Sequence, residues 1–159
     1  MIRLIEENLV RQNKAMMLMS YLLEEEFSRL TNLKPQSVSQ IELSIQELMR
    51  QIAAERISLR NLVAKVDPVA KRVKELLPGL GDAEGESLQA LLKMLDDTEQ
   101  KCGVQAAKNQ QMAMALFDQS KGLLNFMHDQ IKPKSTTAYG RSGRFAKGAN
   151  SARLLSGRL

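Results

Sequence analysis

One apolar rhythm runs through the first 66 residues and leaves few folds open. Ile2, Ile5, Leu9, Gln12, Met16, Met19, Leu23, Glu26, Leu30 and Leu33 follow one another at alternating steps of three and four, and eight of these ten are apolar. The same rhythm returns in Val38, Ile41, Ile45, Leu48, Ile52, Glu55, Leu59, Leu62 and Val66, with eight of nine apolar. A strand buries every second residue, whereas a helix buries every third or fourth. Steps held this long predict long helices packed side by side at shallow angles. A helix of about 30 residues spans roughly 45 Å.

The breaks in the rhythm place the turns. Between Asn32 and Ser37 the pattern stops, and Pro35 suits the first turn of a new helix. Ser39 with Glu42 has the spacing of a capping box. So short a linker predicts an antiparallel hairpin. Asp67-Pro68 reads as another start, with Asp67 as N-cap and Pro68 at the first helical position. Val69, Val73 and Leu76 then give a short helix that Pro78-Gly79-Leu80-Gly81 ends. The last helix is expected from about Ala83 or Ser87 to Ile131, where Lys132-Pro133 stops it. The fold class is therefore all-α, an antiparallel up-and-down bundle of three long helices plus one short helix. The helical domain covers 1–131, and a disordered basic tail covers 132–159.

The last helix is uneven. Leu88, Leu91, Leu92 and Leu95 open it as an apolar stripe. From Asp96 to Gln111 it is polar, with Gly103 and Asn109 where a core face would carry leucine. Its end is apolar on two faces, one with Met112, Leu116, Leu123 and Phe126, the other with Met114, Phe117, Leu124 and Ile131. A hairpin helix needs one such stripe, so the second implies burial on another side, within the bundle or by a partner. Two methionine groups, Met16, Met17, Met19 and Met112, Met114, read either as bundle core or as adaptable docking surface.

Catalytic chemistry has little to work with. One Cys and one His exclude a disulfide framework and give no metal-ligand set. Gly79-Leu80-Gly81 lacks the Lys-Ser/Thr of a phosphate loop and reads as a turn. His128 reads as a surface residue near a helix C-terminus, Cys102 as a small half-buried helix residue, and Glu24-Glu25-Glu26 as a solvated face. No enzyme activity, cofactor or metal is expected.

Charge is segregated. The seven basic residues from Lys132 to Arg158 face no acidic one; removing them from the total of 23 leaves 16 basic against 18 acidic residues. A neutral body with a basic tail suggests either contact with nucleic acid or a solubilising tail carrying a short docking motif. The second is preferred, because Tyr139 and Phe145 are the tail's only stacking side chains. Glu6 and Glu7 stand where a signal peptide would be apolar, and charge-free runs such as Ala15–Leu23 are too short to span a membrane. With a lone Cys, a cytoplasmic location without membrane insertion is expected.

Together these elements resemble a known family. Two heptad helices joined near Pro35 precede a long helix with an Asn-Gln-Gln break at 109–111. Ala115-Leu116-Phe117 and Leu123-Leu124-Asn125-Phe126 follow, then Tyr139-Gly140-Arg141-Ser142-Gly143 in a basic tail. This order resembles the FlgN family of flagellar export chaperones over about residues 4–144. The resemblance implies a chaperone that binds the C-terminal helical segments of hook-associated proteins 1 and 3. It would prevent their early assembly and deliver them to the export gate. It points to Met112, Leu116, Phe117, Leu123, Leu124, Phe126 and Met127 as client-binding residues, and to Tyr139 and Gly140 as a candidate contact for the export gate. From the residues alone, the alternative is a coiled-coil structural adaptor or self-assembling scaffold.

Overall fold

The computed structural model describes residues 1–131. The expected tail, with Tyr139 and Gly140 in it, lies outside the described residues. Among the described residues there are four α-helices, in chain order α1 (Ile2–Thr31), α2 (Pro35–Val66), α3 (Val73–Leu76) and α4 (Asp82–Ile131). A single 3-10 turn, Leu77–Gly79, follows α3. The chain divides into two compact units, Met1–Phe117 and Asp118–Leu159.

Side-chain bonds fix the topology of the first unit. Asn8 on α1 bonds Glu55 on α2, while Arg29, near the other end of α1, donates to the Ser37 carbonyl at the start of α2 (2.8 Å). α1 and α2 are therefore antiparallel. Along α4, Ser87 bonds Glu6, Asn13 donates to the Leu91 carbonyl, and Asn109 donates to the Leu23 carbonyl. Residue numbers on both helices rise together in these pairs, so α4 runs parallel to α1 and the path is up, down, up.

The core follows the apolar rhythm along α1, where Ile5, Leu9, Gln12, Met16, Met19 and Leu23 are all buried. Ile41, Ile45, Leu48 and Ile52 face them from α2. Beyond Ile52 the rhythm drifts: Leu59 and Leu62 are only half-buried, Val66 is exposed, and Val63 takes the core position. Ile52 to Val63 is 11 residues, about three turns of a straight helix, and a straight helix drifts away from a strict seven-residue repeat.

The turn between α1 and α2 corrects the place given to Leu33. It is not a core residue; it is 69% exposed with φ 53°. The Leu33 N–H bonds the Leu30 carbonyl and the Lys34 N–H bonds the Arg29 carbonyl, the paired bonds of a Schellman stop. Leu33 occupies the left-handed position where glycine is usual. Pro35 then opens α2 as its residues suggest.

The capping box is not formed. α2 begins four residues before Ser39, whose hydroxyl donates to the Pro35 carbonyl inside the first turn. The restart at Asp67-Pro68 is also a turn. The Asp67 carboxylate accepts the Val69 N–H (2.9 Å), its carbonyl accepts the Ala70 N–H (3.2 Å), and the helix starts only at Val73. Val69 is exposed, but Ala70, Val73 and Leu76 are buried, so this short element closes the lower end of the core.

Candidate functional site

α4 carries two kinds of surface, and its seven-residue seam shows where one gives way to the other. Leu88, Leu95, Cys102 and Asn109 are buried at steps of seven; Leu116, the next step, is half-buried, and Leu123 after it is exposed. Between them Leu91, Leu92, Thr98, Glu99, Gln105 and Met112 are half-buried. The lower seam is leucine. The middle is small and polar, as the sequence indicates, yet Asn109 belongs to the core rather than interrupting it.

Specific bonds hold that middle. The Asn109 amide donates to the Leu23 carbonyl (2.8 Å) and to the Glu26 carboxylate (2.7 Å), and its oxygen accepts from Gln105 (2.9 Å). The Cys102 thiol points at the Met16 carbonyl (3.6 Å). Burial pushes the pKa of this thiol up, which keeps it protonated and a poor nucleophile. Gly103, in contrast, faces solvent. Arg56 pairs with Glu99 and Lys101 lies 3.9 Å from Glu24, both at the exposed rim.

A second polar layer lies lower in the hairpin. Asn8, fully buried, donates to the Glu55 carboxylate (2.6 Å) and to its main-chain carbonyl (3.1 Å), while Arg11 pairs with the same carboxylate (2.9 Å). The hydrogen bond to Glu55 raises the Arg11 pKa. Gln12 donates to Asn8 (2.6 Å), completing the layer. Such layers fix which residues meet, since any slip would bury them unpaired.

The proposed client residues fall into two groups. In the first unit Met112 and Leu116 are half-buried and Phe117 is 65% exposed. Among the described residues of the second unit, every one from Asp118 to Ile131 except His128 is exposed. Leu123 (60%), Leu124 (65%), Phe126 (61%) and Met127 (49%) show most of their apolar surface there. The methionines of α1 divide: Met16 and Met19 are core, and Met17 is exposed. A shallow groove missed at the level of sequence is lined by Leu18, Leu22, Leu43 and Leu48 with Glu47 and Gln51. Leu18 and Leu22 lie off the main rhythm, which hid them.

Among the described residues, no three His, Cys, Asp or Glu side chains gather as metal ligands would. No described helix is long and apolar enough to cross a membrane. A family model described as FlgN protein matches residues 1–147. The chain belongs to the FlgN family. FlgN proteins are flagellar export chaperones, not enzymes, so its partners are to be sought among flagellar proteins. Neither the curated proteins nor the solved structures gave a match.

Proposed function

We propose that this FlgN chain is a cytoplasmic chaperone that binds the C-terminal helical segments of hook-associated proteins 1 and 3, blocks their early assembly and delivers them to the export gate. The observation that carries this reading is the apolar run at the end of α4, where Leu123, Leu124, Phe126 and Met127 stand exposed. A monomer rarely leaves large apolar side chains contiguous on one helix without a use. An unassembled client segment has the matching chemistry: apolar, helical once ordered, and in need of cover. Docking an amphipathic helix onto such a surface buries area on both partners. Ordering the client lowers the net affinity, which keeps the complex reversible for hand-over. Met112, Leu116 and Phe117 of the first unit are further proposed client residues, and Tyr139-Gly140 is the proposed contact for the export gate.

The same exposed run would also suit a self-pairing scaffold, and mass in solution separates the two. A monomer by light scattering at micromolar concentration is the expected result. A stable dimer broken by Phe126→Asp would assign the run to self-assembly instead.

A further inference from the structure

The middle of α4 is a poor match for the groove it occupies. Met16, Met19 and Leu23 of α1 and Ile41, Ile45 and Leu48 of α2 are all buried large apolar side chains at this level of the hairpin. Across from them α4 offers Thr98, Cys102, Gln105 and Asn109. Below, the same helix offers Leu88, Leu91, Leu92 and Leu95. A buried leucine contributes more than a polar contact that water replaces on opening. α4 is thus held more firmly below residue 96 than above it, where hydrogen bonds stand in place of buried leucines.

We propose that the α4 stretch Thr98–Leu116 is a displaceable occupant of the apolar groove between α1 and α2, and that an amphipathic client helix bearing leucine-like residues can take its place. The part concerning the client rests on the chaperone reading above; the displacement does not. On opening, Asn109 exchanges the Leu23 and Glu26 oxygens for water, while the leucine anchor keeps α4 attached. The incoming helix supplies the apolar seam that α4 lacks.

The single cysteine of the chain, buried against Met16, reports on this motion without alteration of the protein. The full chain is treated with N-ethylmaleimide under native conditions, and modification is followed by intact mass. Global unfolding is measured separately by circular dichroism after urea jumps, extrapolated to water. Labelling at least about tenfold faster than global unfolding is expected, since local opening needs less energy than global unfolding. Asn109→Leu and, as a second variant, Gln105→Leu should slow it about tenfold by improving the seam. Labelling no faster than global unfolding in the unaltered chain overturns the displacement, as does a rate unchanged in both folded variants. If both variants misfold, the unaltered chain decides alone.

A peptide covering the C-terminal helical segment of hook-associated protein 1 is then added, with binding followed by calorimetry. Binding with faster labelling supports displacement by the client. Binding with unchanged or slower labelling overturns the groove as a client site. No binding removes the groove's occupant together with the chaperone reading, and leaves displacement to the labelling rates.

Discussion

The side-chain amide of Asn109 lies 2.8 Å from the carbonyl oxygen of Leu23, 86 positions earlier in the chain. Through this bond, and a second to Glu26, the polar middle of α4 is held in register with α1. Asn109→Ala should lower stability by about 1–3 kcal/mol, because the amide's partners lose their donor in a buried setting. Urea denaturation followed by circular dichroism measures it. A change within error would mean that the bond sets no register.

Glu55 is expected to matter more than any other carboxylate of the hairpin. It holds both Asn8 and Arg11, and Asn8 is fully buried. Glu55→Ala leaves the Asn8 amide N–H only the main-chain carbonyl as acceptor and should cost about 1–3 kcal/mol. Glu7→Ala, which breaks an exposed pair with Arg3, should cost between about 0 and 1 kcal/mol. Equal urea midpoints for the two variants would contradict this ranking.

Leu33 sits at φ 53° in the stop of α1. A side chain in this region is strained by about 1–2 kcal/mol, part of which glycine loses again through its freer unfolded state. Leu33→Gly should therefore raise stability by about 0.5–1 kcal/mol. A lower urea midpoint would show that the exposed Leu33 side chain makes a contact of value.

Cys102 carries a pH dependence. Burial raises its pKa, so the folded chain holds the thiol proton more tightly than the unfolded chain does. The associated stability is fully present below the ordinary thiol pKa of about 8.5, and is lost as pH rises through the raised folded value. Thermal stability should thus fall more steeply above about pH 9 in the natural chain than in Cys102→Ala. Parallel profiles would place the thiol in contact with water.

Much of this architecture was legible because helical burial is periodic. Ile5 to Leu23 and Ile41 to Ile52 were readable as core from spacing alone, and Pro35 marked a true start. The failures have local causes. Leu33 is apolar and in step with the rhythm, but the chain needed a left-handed residue there. Ser39-Glu42 had the right letters four residues too late, because Pro35 had already begun the helix. Asn109 looked like a break, since spacing cannot tell a polar residue facing water from one that bonds the Leu23 carbonyl. At the candidate site the apolar letters at 112–127 were visible, but exposure depends on what packs against each residue, which spacing along one helix does not carry. The groove of Leu18, Leu22, Leu43 and Leu48, all but Leu48 off the rhythm, needed two helices to be seen at once.

The apolar end of α4 separates fold from function. Phe126 is exposed, so Phe126→Asp should leave the helical signal and urea midpoint within about 0.5 kcal/mol while abolishing client binding. Leu116 is half-buried, and Leu116→Asp should cost stability as well as binding. A chain cut after Ile131 should bind the client as the full chain does. Retained binding in folded Phe126→Asp would take this residue out of the docking surface, and a large loss on truncation would move the site into the tail.

The most direct measurement is calorimetric titration of the full chain with the C-terminal helical segment of hook-associated protein 1 from the same organism, repeated at several temperatures. Docking of an apolar helix predicts a Kd of about 1 μM or tighter, with a negative heat-capacity change from the apolar area buried. No heat of binding with this segment, nor with the matching segment of hook-associated protein 3, would contradict the assignment of α4 as a client-docking helix.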